Sequence, residues 1–261
     1  MLTEVLTLMF LGTGKLMCQG SSNTDGSINT TYTSVNTTAG ISISKFIGTG
    51  ANATVGHGLG VAPAMYMVKK LEGTGSWGVY HKGLGATKAM FLDLNDSGGT
   101  HIDYWNNTEP TSSVFSVGTS STMNYNGQNM IAYAFAEVKG YSKFGKYTGN
   151  GNANGARIYT GFKPAFFLCK DTSTGTSENW NMFDNKRGGD GAIRKVLYSD
   201  TNDDEENKTG GMDFLSNGVK MRGTDGAFNG SNKEYIYWAF AEHPLVSSNE
   251  IPATAGLAVL G

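Results

Sequence analysis

Charge is scarce in this chain. Lys, Arg, Asp and Glu make up 16% of its 261 residues, against roughly 25% in an ordinary soluble domain. The net charge is −2 and no basic patch recommends a nucleic-acid partner. Cysteine is nearly absent. Cys18 and Cys169 are the two, too few for a disulfide framework. Cys169 ends the apolar run Phe166-Phe167-Leu168-Cys169 and reads as a buried free thiol. No apolar stretch approaches the ~18 residues of a membrane-spanning helix, so membrane insertion is not expected. The helix formers Ala, Leu, Glu and Lys are scarce, which argues against a helical bundle. The 37 glycines do not recur at every third position, which excludes a collagen-like chain.

What the chain does have is Gly, Asn, Thr and Ser, 107 of 261 residues. Aromatics reach 11%, more than a disordered chain carries. Polar turns between aromatic-rich strands describe an all-β protein. The first residues, Met1 to Phe10, are apolar enough to suggest a signal peptide. Glu4, the missing basic region and the missing small-residue cleavage site argue against one. A short strand packed on the body or on a neighbouring subunit is the better expectation.

Self-similarity organises the rest. Phe46-Ile-Gly-Thr-Gly50 resembles Tyr147-Thr-Gly-Asn-Gly151. Pro63-Ala-Met-Tyr-Met-Val-Lys69 matches Pro164-Ala-Phe-Phe-Leu-Cys-Lys170. Trp77 corresponds to Trp180. Lys88 to Asp96 matches Lys195 to Asp203, and Ala134-Phe-Ala-Glu137 recurs as Ala239-Phe-Ala-Glu242. The offset drifts between 101 and 107, as loop insertions would cause. The expected division is an extended N-terminal arm over 1–44, a β-sandwich repeat over 45–138 and a linker over 139–145. A second repeat follows over 146–243, with a tail over 244–261.

The segment from Met130 to Glu137 contains helix formers, but its partner from Glu234 is poor helix material. In both, large residues recur at every second position: Ile131, Tyr133 and Phe135 against Ile236, Trp238 and Phe240. Period two predicts a strand with a bulky face and, through Ala132 and Ala134, a small one that lets another layer approach. Ala64–Val68 and Ala165–Cys169 read as strands buried on both sides. Asn126-Gly127 predicts a hairpin, and Ser216-Asn217-Gly218 a second turn. Seven to nine short strands per copy make a β-sandwich, of jelly-roll or concanavalin-like type.

Candidate chemistry is thin. His57, His81, His101 and His243 show no metal-ligand spacing and read as turn or surface residues. Asp93-x-Asn95-Asp96 and Asp200-x-Asn202-Asp203 place oxygens at alternating loop positions, as calcium requires. The same residues also end strands by bonding to their own backbone, and the full calcium loop is absent. Beyond that calcium reading no cofactor is expected. Glu137 and Glu242 suit a scaffold role, closing a strand or pairing with Lys69 and Lys170, rather than a glycosidase pair. No serine-nucleophile motif occurs, and Thr13-Gly14-Lys15 is only a fragment of a phosphate-binding loop. Trp77 and Trp180, being repeated, read as core. Tyr104-Trp105-Asn106-Asn107 is the candidate glycan platform, with rings to stack on sugar faces and amides to bind hydroxyls.

Several stretches carry a family resemblance. They are Thr24-Asp-Gly-Ser-Ile, Gly56-His-Gly-Leu-Gly-Val-Ala-Pro63, Val79-Tyr-His-Lys-Gly-Leu-Gly-Ala-Thr-Lys-Ala89 and Tyr104-Trp-Asn-Asn-Thr108. Tyr141-Ser-Lys-Phe-Gly-Lys-Tyr-Thr-Gly-Asn-Gly151, Phe214-Leu-Ser-Asn-Gly218 and Ala239-Phe-Ala-Glu-His-Pro244 continue it. Over roughly residues 20–250 the chain resembles a tandem β-domain family of bacteriophage virion proteins, many from marine phages. The resemblance implies a non-enzymatic structural protein of the phage particle, assembled in the host cytoplasm. A tail-fibre or tip component in host attachment is the first expectation. It would act as a homo-oligomer, with a trimer favoured, among other virion proteins, and touch host surface glycans. A capsid decoration or head-fibre protein is the alternative, and a glycan-degrading tailspike the weaker one.

Overall fold

The computed structural model describes residues 20–173, 175, 177–187 and 193–241. Expectations for the N-terminal stretch including Cys18 and the Thr13-Gly14-Lys15 fragment, for Glu242 and His243, and for the C-terminal tail fall outside those residues. The described chain is all-β with three single-turn helices. None of its helices is long and apolar enough to cross a membrane as a helix.

The strands are β1 (Tyr32–Asn36), β2 (Ile41–Ile47), β3 (Ala53–Gly56), β4 (Met65–Lys70), β5 (Gly78–His81), β6 (Lys88–Phe91) and β7 (Gly99–Thr100). Helix α1 (Ile102–Trp105), β8 (Val114–Val117), α2 (Ser121–Asn124) and β9 (Asn129–Phe135) complete the first half. The second half holds β10 (Ser142–Thr148), β11 (Arg157–Tyr159), β12 (Pro164–Asp171), β13 (Asn181–Asp184) and β14 (Ile193–Tyr198). It ends with β15 (Glu206–Leu215), β16 (Gly218–Met221), α3 (Gly226–Asn229) and β17 (Glu234–Ala241). Sheet 1 runs β1-β2-β9-β4-β5-β6-β7 and sheet 2 runs β10-β17-β12-β13-β14-β15-β16-β11, while β3 and β8 form a separate pair.

The repeat is real in three dimensions. Central strands β9 and β17 each lie between equivalent neighbours, β2 and β4 in one copy, β10 and β12 in the other. Both candidate-helix segments are strands, as their period requires. In β4, Met65 and Met67 face one core while Tyr66 and Val68 face another, which explains the unbroken apolar run. The small face of β9 does admit a close layer: Ala132 and Ala134 share a core with Tyr66, Tyr80, Trp105 and Phe115 under the β3–β8 pair.

The bulky faces do something the sequence did not announce. Phe135 meets Trp238 at 6.3 Å and Phe240 at 6.4 Å between ring centroids, so the two copies bury their large residues against each other. One apolar cluster spans both repeats. Polar bonds seal the seam: Trp180 Nε1 donates to the Phe91 carbonyl at 2.7 Å and Ser199 Oγ to the Leu92 carbonyl at 2.7 Å.

Two boundaries and one turn differ from expectation. Residue 44 falls inside β2, and β1 already pairs with it, so 32–36 and 41–44 are sheet strands rather than arm. The expected linker runs into β10, which starts at Ser142. Asn126-Gly127 does turn the chain, with φ 74° at Gly127, but it joins α2 to β9 rather than two paired strands. The Ser216-Asn217 turn is a hairpin, with Leu215 opposite Gly218.

Candidate functional site

The four residues read as a glycan platform do not form one. Trp105 is fully buried, packed edge-on against Tyr66 at 4.9 Å, and its Nε1 donates to the Lys88 carbonyl at 3.1 Å. A core position with the indole N–H satisfied is where tryptophan gains most. Tyr104 is half-buried against Phe91 and His101. Asn106 and Asn107 take φ of 50° and 47°, a left-handed turn that asparagine tolerates better than most residues. Asn106 Oδ1 accepts from Asn52 Nδ2 at 2.9 Å.

The candidate calcium residues are strand-ending turns. Asp93 Oδ1 accepts the Trp77 N–H at 2.8 Å, and Asp200 Oδ1 accepts the Trp180 N–H at 3.1 Å, the same bond in each repeat. Asp203 N–H donates to the Thr201 hydroxyl. Among the described residues no group of three or more His, Cys, Asp or Glu is placed to hold a metal ion. The cation near Asn95, Asp96 and Asp200 is the protein's own. Lys170 is fully buried and its Nζ donates to the carbonyls of Asn95 at 3.1 Å and Asp171 at 3.2 Å. Burial pulls its pKa down to about 8, against the raising effect of Asp171, Asp200, Glu178 and Asp96. So Asp93, Asn95, Asp96, Asp200, Asn202 and Asp203 give no support to a calcium site.

Two histidines expected in turns or at the surface are buried. His57 and His81 each accept a local N–H on Nδ1, from Leu59 at 3.1 Å and from Gly83 at 3.0 Å. That leaves Nε2 to donate, to the carbonyls of Thr111 and Tyr237. Glu137 is a scaffold residue, with partners other than the expected lysines: it pairs with Lys82 at 2.8 Å and Lys143 at 3.5 Å and accepts the Phe144 N–H. Lys69 donates to the Lys70 carbonyl instead.

A concavity lies where the repeats differ. A cleft of about 380 Å³ is lined by Ala153, Glu206–Gly210 and Arg222–Asp225. Internal equivalence shows why it is open. Asn124 and Asn229 hold equivalent loops, donating to the carbonyls of Gly118 and Gly223. Gly118 lies against Asp103 and Gly223 against Thr209, which sets Tyr104 against Gly210. At the corresponding positions the first copy carries Tyr104 and the Asn52–Asn106 amide bond. The second has Gly210 and Gly211, at φ 82° and 52°, and Ala153 in place of Asn52. A side chain at Gly210 would meet the Arg222 carbonyl at 2.5 Å, so glycine permits both the left-handed backbone and the close approach of the facing strand.

The charges in and beside the cleft are paired. Lys208 Nζ lies 3.2 Å from Glu206 and 3.4 Å from Asp225, and Arg222 pairs with Asp213. Burial opposes the Lys208 charge, but bonding to Tyr198, Asp225 and Glu206 outweighs it and raises the pKa. Burial, then the bond to Glu206, pushes the Tyr198 phenol up to about 12. With Thr209, Thr224 and Asn207, the lining offers donors and acceptors with little net charge, a surface for a neutral, hydroxyl-rich ligand. Sequence reasoning looked for aromatics and missed this place, whose signal was Gly210-Gly211 standing opposite Tyr104-Trp105.

The sequence matches, over residues 15–244, the model of a domain of unknown function (DUF7483). No curated protein and no solved structure matches the chain.

Proposed function

For a chain that belongs to the DUF7483 family, we propose the role of a non-enzymatic structural protein of a bacteriophage particle, a tail-fibre or tip component that meets host surface glycan through the second-repeat cleft. The observation that carries this is the cleft itself, lined by Gly210 and Ala153 where the first copy carries Tyr104 and the Asn52–Asn106 bond. A neutral lining of threonine hydroxyls, amide and paired charges suits a saccharide better than an ion. The titratable groups singled out by sequence support the same reading. His57, His81 and Glu137 bond to backbone or lysine partners, and Asp93 and Asp200 each give Oδ1 to a tryptophan N–H. The seam between repeats makes a firm mount for a weak site. In a homo-oligomer, a trimer above all, several such sites add avidity without any one being strong.

Immunogold labelling of phage particles with antibody to the chain tests the location. Gold at the tail fibre or tip, with purified protein slowing adsorption to host cells, is the expected result. Gold spread over the capsid, with adsorption unaffected, overturns the reading in favour of capsid decoration. Release of reducing sugar from host polysaccharide overturns the non-enzymatic part.

A further inference from the structure

Sheet 1 gives sheet 2 only part of one face. Register aligns rows across β2, β9 and β4, and residues opposite one another in a row project to the same side. The row Ile41–Phe135–Met65 is buried within the seam. The next rows emerge from it. Ile43, Tyr133 and Ile131 are half-buried, and Ile47 and Leu71 are 52% and 48% exposed. Trp77 continues the apolar surface beside Tyr133 at 6.0 Å between rings. Sheet 2 is treated differently: the counterparts Ile236 and Trp180 are each 2% exposed. The Trp180 indole is bonded to Phe91, while among the described residues Trp77 Nε1 has no such partner.

We propose that this open surface is the seat of the chain's own N-terminal segment, Leu2 to Leu11. It continues an apolar interface that already exists. The segment is apolar apart from two threonines and the single charge of Glu4. The surface carries Lys45 and Lys69 among its apolar residues, a complement to Glu4. A second copy docking face to face by two-fold symmetry would bring both copies' Lys45 and Lys69 into one interface, at a Coulombic cost. Connectivity fits too. Ser21 bridges to Thr33 on β1, the outermost strand of sheet 1, which pairs with β2. The eight residues from 12 to 19 reach about 30 Å at most when extended, several strand widths, enough to carry the segment onto the surface.

Hydrogen–deuterium exchange on the full chain decides it, comparing wild type with the double variant Ile47→Asp, Leu71→Asp. Both side chains are exposed, so the core is untouched. The proposal expects amides of residues 2–11 to be protected in wild type and to exchange at least about tenfold faster in the variant. It also expects that protection to stay the same over a tenfold range of protein concentration. Equal exchange of residues 2–11 in both proteins overturns it. So does protection that appears only together with a concentration-dependent dimer, which would place the segment on a second copy.

Discussion

The His81 imidazole of the first repeat donates through Nε2 to the Tyr237 carbonyl of the second, at 3.1 Å. Its Nδ1 accepts the Gly83 N–H at 3.0 Å, so the ring is held neutral with its proton on Nε2. A second proton would have to sit on Nδ1, facing an N–H. Burial pushes the pKa down to about 4, with Lys82 acting in the same direction and the Tyr237 bond and Glu137 opposing.

The first prediction follows from that bond. The folded pKa lies below the ordinary 6.5, so the unfolded chain takes up the proton first. This contribution to stability is complete above about pH 6.5, falls as pH drops towards 4, and changes no further below it. The full loss is about 3 kcal/mol, and His57, whose pKa is also lowered by burial, adds in the same direction. Urea unfolding at pH 7.5, 5.5 and 4.5 measures it. His81→Gln should be less stable than wild type at pH 7.5 yet show a shallower slope; an unchanged slope would remove His81 from the account.

The seam predicts unequal tryptophans. Trp180→Ala opens a cavity among Trp238 and its neighbours and orphans the Phe91 carbonyl, so it should cost about 3–5 kcal/mol. Trp77→Ala, on a half-exposed face, should cost less than about 2 kcal/mol. Denaturant midpoints for the two variants, measured with an unchanged m-value, check the ordering.

Asn124 and Asn229 are fully buried amides doing one task in each copy. Asn124 Nδ2 bonds the Ala51 carbonyl at 2.6 Å and the Gly118 carbonyl at 2.9 Å; Asn229 Nδ2 bonds those of Asn152 at 3.0 Å and Gly223 at 2.7 Å. Alanine at either site leaves backbone groups without partners, an expected loss of about 2–4 kcal/mol. Thermal melts showing no loss for either variant would contradict this assignment.

Cys169 is buried beside Tyr147, and burial pushes its thiol up to about 12. Iodoacetamide should leave it unmodified in the native protein at pH 8 and modify it fully in guanidinium. Peptide mass spectrometry locates the adduct.

The architecture was legible in the sequence because repetition and period-two alternation act locally and twice. Ile131, Tyr133 and Phe135, lined up with Ile236, Trp238 and Phe240, fixed the strand and its faces. They carried no information about what those faces meet, since apolar burial has no direction. The contact of Phe135 with Trp238 therefore came only with the structure. The candidate platform failed for a related reason. Trp105 lies in a polar, turn-like stretch, Tyr104-Trp105-Asn106-Asn107, and nothing in that stretch shows that its ring turns inward onto Tyr66. The cleft was hidden because its lining, Ala153, Glu206–Gly210 and Arg222–Asp225, comes together from three separate stretches of the chain.

The central claim is that this cleft holds host surface saccharide, and titration calorimetry with host polysaccharide tests it most directly. Ala153→Trp fills the cleft from an exposed position and should leave the melting temperature unchanged. The account predicts heat of binding for wild type and at least about tenfold weaker binding for the variant, a change of about 1.4 kcal/mol or more. Equal binding by both proteins, or none by wild type, would contradict it.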